Sequence, residues 1–495
     1  MNANLYDLIF QRSAAGGPAI ADASGAVTLD YPTLHRQAGE YAACFKALGL
    51  AKGDRIVVQV EKSVANLLAY LGALKAGLIY LPLNTAYQEH EVEYFLGDAE
   101  PSLVVCDPSK LAMYERLASC PVRTLDADGA GTLPAEVVTG ATSETEVCGP
   151  DDVAAILYTS GTTGQPKGAM ITHGNLASNG LCLIDAWGFE PGDVLLHALP
   201  IFHVHGLFVA ANVAMMNASP MIFLARFDAA TIISCLPRAT VYMGVPTHYT
   251  RMLDNESLSE AACANMRLFT SGSAPLLEST FAAWQARTGH TILERYGMTE
   301  TGMNTSNPLH GTRKPGTVGP PLPGVTARIV DDEGQPVATG VTGNLQVKGE
   351  NVFKGYWRKP EKTREDFEPD GFFKTGDLAQ LDADGYVSIV GRSKDLVITG
   401  GLNVYPKELE YVIDRMPGVV ESAVIGLPDP DFGEAVTAVI VPEASGAPSE
   451  AEVIAYMKEK LANFKVAKQV FFVDALPRNT MGKVQKNMLR QQFGD

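Results

Sequence analysis

The feature that most constrains the fold of this chain is a repeated alternation of short apolar runs with segments of helical pattern. An apolar run at residues 55–60 is followed by a helical pattern at 64–76 and by a second apolar run at 78–83. A helix-like stretch at 90–96 then leads to another apolar run at 103–106. This rhythm is typical of a parallel sheet covered by helices. The sequence therefore predicts an α/β fold.

The alternation continues through residue 300, and several of the predicted strands end in loops rich in Gly, Ser and Thr. The predicted strands of this part lie at residues 152–157, 169–172, 194–199, 239–245, 266–270 and 291–294. Open α/β sheets bind ligands at the carboxyl ends of their strands. We therefore expect these loops to converge on one cleft.

One of these loops, residues 158–168, has the composition of a phosphate-binding loop. Its sequence, Tyr-Thr-Ser-Gly-Thr-Thr-Gly-Gln-Pro-Lys-Gly, lies between two apolar runs and is predicted to form the tip of a hairpin. Glycines let the backbone approach an anion, while hydroxyl groups and a lysine can donate to it. The loop lacks the Gly-Lys-Ser/Thr of a P-loop ATPase. The alternative is a flexible surface linker.

Length and pattern together predict two domains. A chain of 495 residues with 46% hydrophobic residues can bury one large core and a smaller one. From about residue 317 the pattern changes to short strands and turns, at 327–330, 343–348, 374–378 and 386–390, which predicts a small antiparallel β subdomain. A compact tail with an α+β pattern follows. We place the boundary at Lys394, which gives domains 1–393 and 394–495.

Composition excludes several classes of partner and compartment. The formal net charge of −17 disfavours nucleic acid or an anionic membrane as the main partner. The seven cysteines include no Cys-x-x-Cys pair, which argues against a zinc site or a disulfide framework and favours a reducing compartment. The first residues lack the basic region of a signal peptide, and no apolar run approaches the length of a membrane span. We therefore expect no membrane insertion and a cytoplasmic location.

Four segments, in this order, resemble the signature set of the adenylate-forming superfamily, which contains acyl-CoA synthetases, adenylation domains and luciferases. They are residues 158–168, residues 296–300 (Tyr-Gly-Met-Thr-Glu), residues 374–377 (Lys-Thr-Gly-Asp) with Gly391-Arg392, and residues 477–483 (Pro-Arg-Asn-Thr-Met-Gly-Lys). The resemblance runs the length of the chain. Within the superfamily, residues 200–207 and 294–303 most closely resemble malonyl-CoA synthetases.

This resemblance implies an architecture and a reaction. The architecture is a large N-terminal domain of α/β sheets with a β subdomain, followed by a small, mobile α+β domain. In the reaction, a carboxylate attacks the α-phosphate of Mg-ATP to give an acyl-adenylate and pyrophosphate, and the thiol of coenzyme A then displaces AMP. The implied cofactors and co-substrates are ATP, Mg²⁺ and coenzyme A.

The resemblance also assigns residues to the nucleotide. Glu300 would bind Mg²⁺ and Thr299 would lie near the α-phosphate. Taken singly, an Asp or an Arg is more often a surface ion, but the motif context favours a nucleotide-binding role for both. The remaining assignments are Thr159, Ser160, Gly161, Thr162, Thr163, Gly164 and Lys167 for the β- and γ-phosphates, Ser273, Ala274 and Tyr296 for the adenine, and Asp377 and Arg392 for the ribose or phosphate.

In the C-terminal part, the resemblance implies a catalytic lysine and a coenzyme A loop. Lys483 would stabilise the negative charge that gathers between the reacting carboxylate and the α-phosphate. The alternative is that it is one more exposed lysine in a basic tail. A related hypothesis is that a lysine acetyltransferase switches the enzyme off by removing this charge. Gly400, Gly401 and Leu402 would wall the pantetheine tunnel, with Lys394 at the hinge.

Arg295 carries the argument about the substrate. It lies next to the Tyr-Gly-Met-Thr-Glu segment, where the resemblance places the acyl pocket, and a guanidinium in a dry pocket requires an anion. A dicarboxylic acid supplies that anion, with His205 as a second donor. Val204 and Met303, at positions that line the acyl pocket in the family, would leave little room for a long chain. The alternative is that Arg295 pairs with an acidic neighbour such as Glu294.

The resulting hypothesis is an AMP-forming malonate–CoA ligase that acts on small molecules as a monomer or a small homo-oligomer. The alternatives are a ligase for methylmalonate or another small dicarboxylate, and an aryl-CoA ligase. A stand-alone adenylating domain for aryl or amino acids is a further alternative. A nucleotide-binding protein without activity would be expected to have lost Lys483 or Glu300, and both are present.

Overall fold

A computed structural model describes residues 2–159, 166–399, 402–430, 432–480 and 482–494, and every structural statement below refers to these residues. The strands, in chain order, are β1 (Pro18–Ala21), β2 (Val27–Asp30), β3 (Arg55–Gln59), β4 (Ile79–Pro82), β5 (Leu103–Cys106), β6 (Val122–Thr124), β7 (Val153–Thr159), β8 (Lys167–Thr172), β9 (Leu195–His197), β10 (Met221–Phe223), β11 (Val241–Gly244), β12 (Leu268–Ser271), β13 (Leu293–Met298), β14 (Gly302–Ser306), β15 (Thr326–Val330), β16 (Gly343–Lys348), β17 (Gly355–Tyr356), β18 (Phe373–Leu381), β19 (Val387–Arg392), β20 (Val397–Thr399), β21 (Leu402–Val404), β22 (Val419–Asp429), β23 (Gly433–Pro442) and β24 (Gln469–Phe472).

The two helical patterns given for residues 64–76 and 90–96 correspond to helices at Val64–Lys75 and Glu89–Ala99. A π-helix at His205–Ala211 runs directly into one of the α-helices and is the least common of these elements. The α-helices are α1 (Leu5–Arg12), α2 (Tyr31–Ala47), α3 (Val64–Lys75), α4 (Glu89–Ala99), α5 (Leu111–Leu117), α6 (Thr132–Glu136), α7 (His173–Ala186), α8 (Asn212–Met216), α9 (Ala229–Cys235), α10 (Pro246–Leu253), α11 (Glu278–Thr288), α12 (Pro360–Asp366), α13 (Pro406–Ile413), α14 (Glu450–Lys460) and α15 (Lys486–Phe493).

Two large sheets organise the N-terminal part. The first has the order β14-β13-β12-β11-β9-β10-β1-β2, and its inner strands from β1 to β13 are parallel. The second has the order β17-β8-β7-β4-β3-β5-β6, with β3 to β7 parallel and β7–β8 an antiparallel hairpin. Since neighbouring parallel strands end at the same edge, the loops after β9, β11, β12 and β13 lie side by side. The predicted α/β class is confirmed.

An aromatic cluster supports this edge of the first sheet. The ring of Trp284 lies 4.9 Å from that of Tyr249 and 5.0 Å from that of Phe269, both edge-on. All three side chains are fully buried. Edge-to-face contacts of this kind stabilise a core beyond the area that they bury. The Tyr249 hydroxyl also donates to the Thr270 carbonyl oxygen at 2.6 Å, which ties the cluster to the end of β12.

The chain forms two compact units, Met1–Thr326 with Val347–Phe373, and Ala327–Gln346 with Lys374–Asp495. The second unit contains most of the sheet β15-β16-β18-β19 and the whole of the sheet β21-β20-β23-β22, to which β24 adds beside β23. The small β subdomain was predicted to belong with residues 1–393, whereas its packing groups it with the C-terminal residues. A functional boundary at Lys394 stays a prediction.

Among the helices that the structure describes, none combines the length and the apolar character that crossing a bilayer requires.

The buried carboxylate of Asp193 forms hydrogen bonds that connect the starts of three neighbouring strands, β9, β11 and β12. Asp193, before β9, accepts from Arg267 Nε at 2.7 Å, from Arg267 Nη2, and from Thr240 Oγ1 at 2.7 Å. Burial opposes its ionisation, but these bonds and one from the Glu190 N–H outweigh it and hold the pKa of Asp193 below its ordinary value. Because the folded pKa is depressed, this stabilisation is present above the unfolded pKa and is lost as pH falls through the folded pKa.

We predict that Asp193→Asn lowers the free energy of unfolding by about 1.5–3 kcal/mol near neutral pH, because the bonds to Arg267 lose their charge. Thermal melts of both proteins from pH 7 to pH 3 test this, and the difference in melting temperature should narrow in acid. Glu365→Gln, which removes an exposed ion pair with Lys362, is the control and should change little. A difference that stays constant with pH would contradict the prediction.

Candidate active site

A β-hairpin at the edge of the first sheet carries most of the predicted catalytic residues. Arg295 and Tyr296 lie on β13, while Thr299 and Glu300 form the turn into β14. A Cβ atom on Gly297 would lie 2.0 Å from the Gly302 carbonyl oxygen. Only glycine therefore lets the two strands approach this closely. Thr299 is half-buried in the turn.

Glu300 is buried, and its carboxylate accepts hydrogen bonds from hydroxyl groups in two other parts of the first unit. Its Oε1 accepts from Thr159 Oγ1 at 3.2 Å and from the Tyr356 hydroxyl at 3.3 Å. Thr159 is the last residue of β7, and Tyr356 lies on β17. The structure thus joins the predicted phosphate hairpin to the predicted metal ligand.

Lys167, the first residue of β8, pairs across the hairpin with Thr159. Its Nζ lies 3.8 Å from an Asp366 carboxylate oxygen and 4.3 Å from the centre of the Tyr356 ring. Burial lowers the pKa of Lys167, and the Asp366 charge opposes that shift. The other predicted phosphate ligands, Ser160, Gly161, Thr162, Thr163 and Gly164, lie outside the described residues.

The chemistry of this cluster fits a magnesium ion. No group of three or more His, Cys, Asp or Glu side chains in the described part of the chain could hold a metal by itself. Mg²⁺ is commonly bound by one or two carboxylates, with phosphate and water as its other ligands. Glu300 supplies one carboxylate next to Thr159, at the mouth of the phosphate hairpin.

The three residues predicted for the adenine lie on or directly after two neighbouring strands. Ser273 and Ala274 follow β12, and Tyr296 lies on β13, which pairs with β12 at Ser271 and Glu294. Ser273 has φ +69°, a backbone conformation that non-glycine residues seldom adopt. Such outliers cluster at binding sites because the surrounding structure must impose them.

Arg295 is buried without an anion. Its side chain is 2% exposed, and Nε and Nη2 have no hydrogen-bond partner among the described residues. Glu294 faces the other side of the strand, where its Oε1 accepts from the Leu276 N–H at 3.2 Å. Burial lowers the pKa of Arg295 to about 10, so the guanidinium remains charged at neutral pH. The ion pair with Glu294, the alternative from sequence, is not found in the described part of the chain.

His205 lies beside this guanidinium as a neutral imidazole. It is fully buried, with Nδ1 3.2 Å from Ser273 Oγ and Nε2 without a partner in the described residues. Burial, and next the charge of Arg295, hold the pKa of His205 well below its ordinary value. His203 instead accepts from the His205 backbone N–H at 3.2 Å, as a turn histidine does.

The two residues predicted to limit the acyl pocket are both buried. Val204 directly precedes the π-helix and is 4% exposed, while Met303 on β14 is 1% exposed. Asn179 fixes the Met303 backbone, accepting from its N–H at 3.0 Å and donating to its carbonyl at 2.9 Å.

In the second unit, Asp377 and Arg392 form an ion pair. They lie opposite each other on β18 and β19, with Arg392 Nε 2.9 Å from Asp377 Oδ1. Asp377 is 2% exposed. This ion pair therefore orients both of the side chains that the sequence analysis assigned to the ribose or phosphate.

Lys483 lies on a tight loop of the same unit. Asn479 accepts from the Lys483 N–H through Oδ1 at 2.9 Å and donates its own N–H to the Lys483 carbonyl at 2.9 Å. Gly482 has φ +74°, which the turn requires. Burial first, then the charges of Arg392 and Lys394, lower the pKa of Lys483 to about 8, while Asp377 and Asp395 oppose the shift.

The predicted coenzyme A loop is described only in part. Leu402, on β21, is 47% exposed, while Gly400 and Gly401 lie outside the described residues. Lys394, the predicted hinge, is exposed in a short 3₁₀ turn, Ser393–Asp395. Its neighbour Asp395 is anchored by Arg490 Nη2 at 2.9 Å.

Three contributors to the first unit's site were missed from the sequence. Tyr356 and Asp366 surround Glu300 and Lys167, and Gly272 makes room for Arg295. A Cβ atom on Gly272 would lie 2.1 Å from Arg295 Nη1. The Gly355-Tyr356 pair had no recognised pattern, and Gly272 resembled an ordinary loop glycine, because their roles depend on neighbours that are distant in sequence.

Comparisons with known proteins agree with this architecture. Residues 10–357 match the AMP-binding enzyme family and residues 408–483 match its C-terminal domain. A malonate–CoA ligase of Arabidopsis thaliana is 37% identical over 499 residues, which cover 92% of this chain and 80% of the relative. A mitochondrial malonate–CoA ligase of Mus musculus is 37% identical over 490 residues, covering 90% and 83%. The crystal structure of ATP-bound MatB from Rhodopseudomonas palustris is 55% identical, with TM-score 0.97 over 100% of this chain and 99% of its own.

We predict that Lys483 titrates near pH 8, where about half of it is the free amine. Competitive acetylation with acetic anhydride across pH 6–11, followed by mass spectrometry, measures this, with the exposed Lys458 as the internal comparison. Arg392→Met should raise the midpoint by removing a nearby positive charge. A midpoint above about 10 would contradict the burial of this amine.

Proposed function

Because this chain belongs to the AMP-binding enzymes, we propose that it is an acid–thiol ligase that joins malonate to coenzyme A, with ATP converted to AMP and pyrophosphate. The malonate–CoA ligases among its relatives support this assignment. The observation that carries it is the buried guanidinium of Arg295, which has no anion in the described part of the chain.

Malonate satisfies this guanidinium in a way that a monocarboxylate cannot. One carboxylate reacts, and the other lies against the Arg295 fork, whose planar donors match a carboxylate in bidentate geometry. The neutral His205 adds a second donor if Nδ1 accepts from the Ser273 hydroxyl, because Nε2 then carries the proton. Val204 and Met303, both buried, restrict the pocket to a short acid.

ATP is held through its phosphates, adenine and ribose. In this proposal, Thr159, Lys167 and the residues between them hold the β- and γ-phosphates. Ser273, Ala274 and Tyr296 line the adenine, Asp377 accepts from the ribose hydroxyls, and Arg392, already paired with Asp377, lies toward the phosphates. Glu300 is the protein ligand of Mg²⁺, which when bound neutralises the charge of the triphosphate.

In the first step an oxygen of the substrate carboxylate attacks the α-phosphorus, and the bond to pyrophosphate breaks. Negative charge collects between two anions, so a fixed cation lowers the barrier. Lys483 provides that cation below its pKa of about 8, and Thr299 donates to the α-phosphate.

In the second step the thiol of coenzyme A attacks the acyl carbon of malonyl-adenylate, and AMP leaves as the carbon–oxygen bond breaks. We assign Gly400, Gly401 and Leu402 to the wall of the pantetheine tunnel. Lys394 serves as the hinge between the conformations for the two steps. A residue that acts in the first step alone can therefore be separated from the second step by mutation.

The partners in this proposal are malonate, ATP and coenzyme A, with no nucleic acid. A monomer or a small homo-oligomer suffices, because every residue assigned to the reaction lies on one chain. All seven cysteines are free thiols, which supports a cytoplasmic location. Lys483 is also the proposed target of a lysine acetyltransferase, since its lowered pKa exposes more of the reactive free amine at neutral pH.

We predict that Arg295→Ala lowers kcat/KM for malonate by about thirty- to several-thousand-fold, equivalent to about 2–5 kcal/mol of lost transition-state binding. Propionate has no second charge, so its kcat/KM should stay the same or rise. The measurement is pyrophosphate release with malonate, methylmalonate, propionate and benzoate, with and without coenzyme A.

Two companion variants sharpen this test. Arg295→Lys keeps the charge but loses the fork, and should retain part of the preference for malonate. Gly272→Ala keeps Arg295 but places a methyl group 2.1 Å from its Nη1, so the guanidinium must move. This variant should also lose kcat/KM for malonate and not for propionate. If Arg295→Ala lowers malonate and propionate turnover by the same factor, Arg295 has a structural role and the malonate assignment loses its support.

We predict that Lys483→Ala abolishes adenylate formation but leaves thioester formation from synthetic malonyl-adenylate largely intact. Protein acetylated at Lys483 should behave in the same way, because it too lacks the charge. In the wild type, kcat/KM for adenylation should fall as pH rises through about 8, where Lys483 loses its proton. An equal loss in both half-reactions, or full activity of the acetylated protein, would contradict this division of roles.

A further inference from the structure

A lysine outside the site described above is buried in the first unit with no carboxylate partner in the described residues. Lys62 precedes α3 and is 7% exposed. Its Nζ lies 2.7 Å from His197 Nδ1, 3.0 Å from the His197 carbonyl oxygen and 4.2 Å from the centre of the Phe223 ring. Burial of a lysine without a counter-ion is unfavourable, and methionine or leucine would fill the same space. What distinguishes lysine from these apolar residues here is its amine, which can donate to both His197 acceptors.

The contacts of His197 determine which of its nitrogens carries the proton. His197 Nε2 lies 2.8 Å from the Gly206 carbonyl oxygen, which can only accept, so Nε2 carries the proton. Burial, and next the charge of Lys62, hold the pKa of His197 well below its ordinary value, so the ring is neutral. Nδ1 is then an acceptor and takes a hydrogen from Lys62. This assignment holds for either protonation state of the lysine, because both can donate.

This chain of bonds ends next to the residue assigned to the substrate. Gly206 immediately follows His205 in the π-helix. A Cβ atom on Gly206 would lie 2.0 Å from the Pro200 carbonyl oxygen, so the start of the helix is pressed against the preceding turn. The His197 bond fixes the helix on one side of His205, and the contact of His205 Nδ1 with Ser273 fixes the ring on the other.

We propose that Lys62 is a positioning residue for substrate selection: through His197 and the Gly206 carbonyl it holds His205 where its Nε2 donates to the distal carboxylate. The inference rests on the proposed malonate–CoA ligase activity. Without the Lys62 hydrogen bond, His197 can take the other tautomer, release the Gly206 carbonyl and let His205 turn away from the substrate.

Lys62→Met tests this with little change of volume. KM for malonate should rise about 10- to 150-fold, as for the loss of one hydrogen bond to a charged group. The value of kcat should be nearly unchanged, because the distal carboxylate is held equally in the ground and transition states. Propionate kinetics should not change. Lys75→Met is the matched control, since Lys75 lies on α3, half-buried, with its Nζ 3.0 Å from Thr145 Oγ1. Lys75→Met should leave KM and kcat unchanged for both malonate and propionate.

A second measurement separates the amine of Lys62 from its packing. Lys62 borders a cavity of about 580 Å³ that is also lined by Tyr41, Ser63, Asp128 and Phe223. In Lys62→Ala, propylamine can enter from this cavity and replace the missing part of the side chain. It should restore malonate turnover, whereas 1-propanol should not. Recovery by the amine alone supports the proposal, and a loss that the amine does not reverse overturns it.

The two proposals fail in different ways. The proposed function fails if the wild type does not prefer malonate to propionate, or if Arg295→Ala lowers kcat/KM for both acids by the same factor. A second outcome is that Arg295→Ala lowers kcat/KM for malonate alone, while Lys62→Met lowers kcat/KM for both acids equally or for neither. The proposed function then stands, and only the role of Lys62 is overturned.

Discussion

The burial of a charged guanidinium without a counter-ion is the constraint on which the rest of the acyl site depends. Moving Arg295 out of water without a partner is unfavourable by several kcal/mol, and the folded chain compensates only when an anion binds. Gly272 has to be glycine for the guanidinium to fit. Two residues earlier, the Thr270 carbonyl accepts from the hydroxyl of Tyr249 in the aromatic cluster. In the proposed function, the distal carboxylate of the substrate supplies the anion that this guanidinium lacks in the described part of the chain.

His205, which lies beside Arg295, and two buried histidines near His205 are all neutral. Burial and neighbouring positive charges lower the pKa values of His197, His205 and His248, so these rings stay neutral and contribute dipoles rather than charges. In the proposed function, Arg295 supplies the positive charge that matches the distal carboxylate, and His205 adds a neutral donor. A protonated His205 would repel Arg295 across a dry interior, where such repulsion is strong.

The strand that carries Arg295 leads directly into the turn of Thr299 and Glu300, the residues assigned to the nucleotide in the proposed function. Parallel strands β9 to β13 end side by side, and the hairpin of β7 and β8, which belongs to the other large sheet, meets Glu300 through Thr159. Lys483 depends on different physics in the second unit, where burial and two nearby cations lower its pKa to about 8. In the proposed function, Arg295 is the fixed cation for the acid and Lys483 is a cation that titrates.

The sequence by itself determined the α/β class, many of the strand positions and the hairpin of β7 and β8, because periodicity and glycine placement are local properties. The roles assigned to Arg295 and Glu300 stay predictions. The sequence pattern grouped the strands of residues 327–346 and 374–392 with the N-terminal part, whereas their packing groups them with the C-terminal residues. Only the tertiary structure decided that Arg295 has no acidic partner in the described residues, that Tyr356 and Asp366 join Glu300 and Lys167, and that Lys62 reaches His197. These contacts join residues far apart in the chain, and whether a charge is buried with or without its counter-ion is fixed by packing in three dimensions.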